Sequence, residues 1–260
     1  MMDTIFREEI AKGDVLIYMD DILIATARSL EHHRQQVNNV LKNLLTNDLY
    51  LNPKKCQFHV KEVKFLGAIV GKCEVKMDPI KVKANEDWPT LTGLHLLCSF
   101  LSFGNYYKDF MKDYSKLTRP LHNLIKKGTP WHWGDSHRAT FEALKEKFTS
   151  YPVLKNLDPN KCYILDTNAS LYAIGAMLSQ DFTDGHHSIA YFSKSLLPAK
   201  CNYDIYDWEL LAIIYAIKAF RHLLLGACHK FLIRSDHENL KYFKSPQKIS
   251  AHQARWHVFL

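Results

Sequence analysis

No stretch of this 260-residue chain is apolar for long. The longest such run, 210–217, falls far below the roughly 18 residues that span a bilayer, so a membrane-crossing protein is not expected. The six cysteines, at 56, 73, 98, 162, 201 and 228, include no Cys-x-x-Cys pair, and the chain carries no secretory leader pattern. Reduced intracellular thiols are therefore expected, rather than disulfides or zinc. The histidine pairs 32–33 and 186–187 lack cysteines at ligand spacing and read as solvated residues. Internal repeats and low-complexity tracts are missing too, which excludes solenoids and disordered tails. What is present is a 47% hydrophobic composition, enough for one large core or two or three small ones. The net charge of +7 and pI of 9.0 suit a surface that neutralises phosphates, although an ordinary basic protein carries as much.

The densest local signal is Tyr18-Met19-Asp20-Asp21, preceded by Val15-Leu16-Ile17 and followed by Ile22-Leu23-Ile24. Two β-rich apolar runs around a short polar tip read as a hairpin that lifts both carboxylates to its apex. A bare Asp-Asp is common in turns. Framed by an aromatic residue, a methionine and two apolar strands, the pair instead suits divalent metal. The matching chemistry is in-line phosphoryl or nucleotidyl transfer, in which two cations about 3.5–4 Å apart clamp the attacking and leaving oxygens.

Further along, Ser29 is a candidate N-cap for a helix with Val37, Val40, Leu41 and Leu44 on one face. Val63, Phe65 and Leu66 before Gly67 suggest a second hairpin. From Asp78-Pro79, an N-cap followed by proline at the first helical position, the pattern is helical as far as Gly128. Trp88-Pro89 closes the first of these helices, Leu94, Leu97 and Leu101 mark the second, and Leu117, Leu121 and Leu124 the third. Another follows with Phe141, Leu144 and Phe148 inward. Beyond Pro152 and Pro159 the spacing predicts strands over 163–167, 173–178 and 189–192, with Asp184-Gly185 as a hairpin turn. A helix over 207–220, a strand over 231–234 and a helix starting near Glu238 complete the reading. Three strands, helix, strand, helix is the opening order of the ribonuclease H fold.

The acidic hairpin resembles the motif of reverse transcriptases, and downstream segments strengthen the likeness. They are Leu51-Asn52-Pro53-Lys54-Lys55-Cys56, Phe65-Leu66-Gly67, Trp88-Pro89, Ser99-Phe100-Leu101 with Asn105-Tyr106-Tyr107, the run from Tyr203 to Ile213, Ser235-Asp236-His237-Glu238-Asn239-Leu240 and Gln253-Ala254-Arg255-Trp256. In this order they resemble the Pol polyprotein of gypsy-type long-terminal-repeat retrotransposons over essentially the whole chain. The resemblance implies an α+β fold in three parts. These are the end of a reverse transcriptase palm (1–75), a helical thumb with connecting helices (76–157), and an incomplete ribonuclease H-like α/β domain (158–260). It implies Asp20 and Asp21 as catalytic metal ligands of the polymerase, and Glu209 and Asp236 as those of the ribonuclease H, with Mg²⁺ or Mn²⁺ as cofactor. Without that motif, a glutamate near a helix start more often balances the helix dipole. Tyr18 and Met19, the primer-grip-like Phe65, Leu66 and Gly67, and the thumb residues Lys108, Lys112 and Lys116 are the implied nucleic-acid contacts; charge runs on helices are otherwise often just solvated.

One position departs from the family. Where the family writes Thr-Asp-Ala-Ser, this chain has Thr167-Asn168-Ala169-Ser170, so a neutral amide stands in place of a catalytic carboxylate. Asp166 lies on the same strand face, roughly 6–7 Å away at about 3.3 Å per residue, and is a poor substitute. Ser102 after Phe100-Leu101 replaces a more usual glycine. The resemblance also places a third polymerase aspartate and the dNTP pocket upstream of Met1, and a fourth ribonuclease H carboxylate beyond Leu260. The expected protein is thus a retrotransposon-derived RNA-directed DNA polymerase and ribonuclease H fragment with both activities impaired. The rival expectations are a non-catalytic, domesticated nucleic-acid-binding module and an incomplete gene model of a longer Pol. Expected partners are RNA–DNA hybrid, RNA template with DNA primer, dNTPs in the complete enzyme, and the rest of Pol. The expected location is intracellular, in a cytoplasmic retroelement particle or the nucleus.

Overall fold

The computed structural model describes residues 2–26, 29–72, 74–150, 153–225, 227–237, 240 and 251–259. The chain forms two compact units, 1–73 and 74–260.

The first unit opens with α1 (Met2–Ile5) and α2 (Arg7–Ala11), then the hairpin of β1 (Val15–Tyr18) and β2 (Asp21–Ile24). The helix α3 (Leu30–Thr46) follows, then a second hairpin of β3 (Glu62–Phe65) and β4 (Ala68–Gly71). Ser29 caps α3 as its sequence predicts, its hydroxyl accepting from the His32 N–H at 3.2 Å. Val37, Val40 and Leu44 turn inward, and Val40 and Leu44 pack with Phe6 and Val15. Leu41, expected on the same face, is exposed, and Gln36 is buried instead. The histidine pair 32–33 is not simply solvated. His32 meets the Asp14 carboxylate at 3.2 Å, and His33 bonds the Thr26 hydroxyl at 3.1 Å.

The second unit begins with β5 (Glu74–Met77), which pairs antiparallel with β6 (Leu154–Lys155). Between them lie α4 (Pro79–Glu86), α5 (Leu94–Tyr106), α6 (Tyr114–Leu117), α7 (Arg119–Leu124) and α8 (Asp135–Thr149). Asp78 caps α4 through Ile80 N–H at 3.0 Å, with Pro79 in the first turn. The single helix expected through Leu117, Leu121 and Leu124 is broken into α6 and α7. Pro120 cannot donate to the ladder, and its ring crowds the preceding turn. Leu97, Phe100, Leu121, Phe141, Leu144 and Phe148 form one buried cluster, with Phe100 and Phe141 ring centres 4.7 Å apart and Trp131 stacked on Trp133 at its margin. Gly104 permits the tightest contact in it. A Cβ there would stand 2.5 Å from the Tyr114 hydroxyl, which donates to the Leu101 carbonyl.

The larger sheet holds β7 (Ile164–Ala169), β8 (Ala173–Phe182) and β9 (Gly185–Ser195), then α9 (Ile205–Ala219), α10 (Arg221–Leu224) and β10 (Leu232–Ser235). Its order is β10-β7-β8-β9; β10 runs parallel to β7, and the other pairs are antiparallel. The hairpin turn falls at Thr183-Asp184, one residue earlier than expected, because Phe182 pairs with Gly185. Gly185 takes a φ of 128°, a conformation that favours glycine. Leu165 on β7 and Ala176 and Leu178 on β8 pack against Ala216 of α9 and Phe220, which caps its end. His186 and His187 pair with Asp181 and Asp184 at 2.8 and 3.1 Å, so this expected solvated pair is also engaged. The helix α11 (Ala251–Phe259) packs on α9, where Gln253 donates to the Asp207 carboxylate at 2.6 Å and Trp256 meets Tyr203 edge to face. The start of the helix expected at Glu238 lies outside the described residues.

Gly104→Ala is expected to destabilise the protein by about 1–3 kcal/mol through overpacking. Tyr114→Phe in the same chain should return part of that loss, since the clashing oxygen is gone. Urea unfolding of the two single variants and the double variant measures the coupling.

Candidate active site

Two carboxylate groupings carry the chemistry. In the first unit, Tyr18 pairs with Asp21 across β1 and β2, which leaves Met19-Asp20 as a two-residue turn. Met19 takes a φ of 53°, the left-handed region that such tight hairpins require. Asp20 therefore sits on the turn and Asp21 opens β2, both exposed. Tyr18 and Met19 are also exposed beside them, an unusual disposition for residues of their size. The second hairpin repeats the device, with Leu66 and Gly67 at φ 47° and 68° forming its tip and Phe65 half-buried behind.

In the second unit the site assembles where parallel strands β7 and β10 end. Glu209, in the first turns of α9, is buried and reaches between them. One of its oxygens accepts from the Ala169 N–H of β7 at 3.1 Å, the other from the Ser235 hydroxyl of β10 at 3.0 Å. Burial pushes the Glu209 pKa up; the bonds from Ser235 and Ala169 oppose the shift, the nearby Asp236 charge adds to it, and His237 opposes it. Asp236 follows the last registered pair, Ser235 with Thr167, and Asn168 stands at the corresponding next position on β7. Asp236 and Asn168 are exposed, and Asp166 is half-buried. The structure thus gathers Glu209, Asp236 and the Asn168 position at one sheet end.

On the face of β7 and β8 opposite α9, Asn168 pairs across strands with Gly175. A Cβ on Gly175 would stand 2.6 Å from Oδ1 of Asp113, a residue held at a left-handed φ of 57° just before α6. Asp113, Lys116, Asn168, Ser170 and Gly175 line one small cavity of about 20 Å³. Lys116 therefore lies beside the Asn168 position, whereas Lys108 and Lys112 are exposed elsewhere in the same connection. Ser115 fixes the junction, its N–H donating to the Ser193 hydroxyl of β9 at 3.0 Å. Sequence reasoning missed Asp113, whose approach depends on a glycine 62 positions away and on no local motif. Ser235 was likewise not expected as the glutamate's partner, although it stands beside Asp236 in the chain.

Among the described residues, no three of His, Cys, Asp and Glu converge as a ligand group. The Asp236 charge opposes ionisation of Glu209, so a cation between these two carboxylates would be favoured, while the Asn168 amide brings no charge and lines the cavity beside Asp113 and Lys116. The donor set therefore fits a divalent cation only in part.

The strand order β10-β7-β8-β9 with an acidic helix start between the parallel strand ends defines a ribonuclease H-like domain, and the acidic hairpin before it a polymerase palm element. The reverse transcriptase (RNA-dependent DNA polymerase) family matches residues 1–70, and the RNase H-like domain found in reverse transcriptase matches 133–233. The chain is similar to the Transposon Tf2-3 polyprotein of Schizosaccharomyces pombe, 35% identical over 97% of this chain and 19% of the relative. The Tf2-7 polyprotein of the same yeast is 34% identical over the same shares. Its fold matches a foamy viral protease-reverse transcriptase dRH in complex with double-stranded DNA, with a TM-score of 0.80 and 20% identity over 99% of this chain and 45% of that one. The same viral protein in complex with RNA/DNA hybrid gives 0.77 and 19% identity, over 99% and 35%. The chain belongs to the gypsy-type long-terminal-repeat retrotransposon Pol family and carries its reverse transcriptase and RNase H-like domains. It spans about a fifth of the length of the curated relatives it matches.

Because the folded pKa of Glu209 lies above its unfolded value, folding takes up a proton as pH rises past the ordinary glutamate range. The associated stability is full below that range and is lost as pH climbs through the raised value. Glu209→Gln is accordingly expected to be more stable than the parent at pH 7, with the gap closing toward pH 4. Thermal unfolding across that range in metal-free buffer reads it; a gap that widens on acidification would contradict it.

Proposed function

We propose that this chain binds RNA–DNA hybrid and duplex through its basic surface, and that Glu209 and Asp236 are remnants of a two-metal hybrid-cleaving site weakened by Asn168. The observation that carries this reading is the joint placement of Glu209, Asp236 and Asn168 at the ends of β7 and β10. Mg²⁺ or Mn²⁺, when bound there, supplies the charge that activates water against a phosphodiester. The chain's own part is to hold two carboxylates in register. Glu209 is oriented by the Ala169 N–H and the Ser235 O–H, and Asp236 projects from the strand end. Asn168 offers a carbonyl of similar shape but no charge. In the palm element, Asp20 and Asp21 are the proposed metal ligands, with Tyr18, Met19, Phe65, Leu66 and Gly67 facing primer and template.

A second reading has its own support. Asp113 lies against Gly175, the cross-strand partner of Asn168, so a carboxylate at 168 would face a like charge while an amide would not. That favours a stable non-catalytic binding module, in which position 168 has adapted to the connection packed over it.

Cleavage of a labelled RNA–DNA hybrid in Mg²⁺ separates the two, with the chain joined to the segment that follows in its Tf2 relatives. Asn168→Asp is expected to raise cleavage at least tenfold, equivalent to about 1.4 kcal/mol of transition-state stabilisation, and Glu209→Gln or Asp236→Asn to abolish the gain. Equal rates at Asn and Asp would leave only the binding module. Hybrid affinity itself should fall steeply with salt and vary little with sequence.

A further inference from the structure

Two lysines, with a third one helical turn away, meet one tyrosine further along α9. Tyr215 lies in the third turn of α9, half-buried. Lys200, from the short turn before α9, donates a hydrogen bond to the Tyr215 hydroxyl and sits 4.7 Å from its ring centre. Lys194, at the end of β9, stands 4.5 Å from the same centre. Lys218, one helical turn on, adds its charge near the phenol and lies over the Phe259 ring of α11 at 4.9 Å. Lys200 is held in place because the Trp208 indole N–H donates to its backbone carbonyl at 2.8 Å.

Two ammonium groups press on one phenol with a third a helical turn away, and among the described residues no carboxylate pairs with any of them. The bond from Lys200 and then the charges of Lys200, Lys194 and Lys218 hold the Tyr215 pKa below the ordinary phenol value, against the effect of burial. A tetrahedral anion with several acceptor oxygens would satisfy the ammonium donors and relieve their repulsion. We infer that Lys194, Lys200 and Tyr215, with Lys218 a helical turn away, form a phosphate-binding site on the RNase H-like domain, occupied by a backbone phosphate of nucleic acid. The choice of occupant rests on the nucleic-acid reading above; the anion site itself rests on this geometry alone. Tyr215 serves as a platform that holds Lys194 and Lys200 by cation–π attraction and Lys200 also by its hydroxyl.

The test has two arms on the same chain. In the first, isotope-labelled tyrosine is followed by NMR through an alkaline titration, the Tyr215 signal being assigned by its loss in Tyr215→Phe. Inorganic phosphate should raise the Tyr215 midpoint relative to chloride at equal ionic strength, and Lys194→Gln/Lys200→Gln should abolish the difference. In the second, hybrid affinity is measured against salt. The double variant should weaken binding about tenfold at low salt and lower the log–log slope by about 1 per lysine removed. No difference between phosphate and chloride overturns the anion site. A phosphate response with no hybrid binding by the parent chain upholds the anion site and sinks the nucleic-acid reading. Hybrid binding with a slope indifferent to both lysines rejects the backbone phosphate as occupant.

Discussion

The buried carboxylate of Glu209 is the interaction on which the functional end of the RNase H-like sheet depends. Where the parallel ladder of β7 and β10 stops, one side chain bonds a main-chain N–H of β7 and the Ser235 hydroxyl at the end of β10. A charged group in that position loses solvation, which its two hydrogen bonds only partly offset, as its raised pKa records. The same contacts orient its oxygens beside Asp236. Structural anchoring and the proposed metal binding therefore draw on one group.

The site's remaining asymmetry comes from Asn168. Amide and carboxylate are nearly isosteric, so the strand keeps its register with Gly175 and β7 keeps its place beside β10. In the proposed reading only charge is lost. The crowding of Asp113 over Gly175 gives that loss a local logic, since an uncharged residue at 168 avoids a carboxylate held on the facing connection. In the proposed reading the fold persists where the chemistry is weakened.

Much of this was legible in the sequence because the signals are local. The cap residues Ser29 and Asp78 begin their helices as their side chains dictate. Short apolar runs separated by turn residues marked β7 to β9, and the acidic hairpin showed itself by two apolar runs around Tyr18 to Asp21. The misses have equally physical causes. Pro120 splits a helix whose leucine spacing reads as continuous, and Leu41 is exposed because the inward face of α3 is narrower than the periodicity implied. The histidine pairs looked solvated because their carboxylate partners Asp14 and Asp181 lie beyond any ligand spacing, and that of His187, Asp184, sits in a turn whose geometry the sequence left open. At the site, residue types at 168, 209 and 236 could be read directly. The bonds to Ala169 and Ser235, the approach of Asp113 and the lysine cluster at Tyr215 arise only when distant segments meet.

The most direct test of a cation site short of one charge is to count Mn²⁺ bound per chain by electron paramagnetic resonance, with a hybrid present. Asn168→Asp should bind Mn²⁺ more tightly than the parent at the RNase H-like end, and Glu209→Gln should remove that gain while Asp20→Asn leaves it intact. Identical Mn²⁺ binding by parent and Asn168→Asp would show that position 168 does not face the cation, and the account of the site would fall.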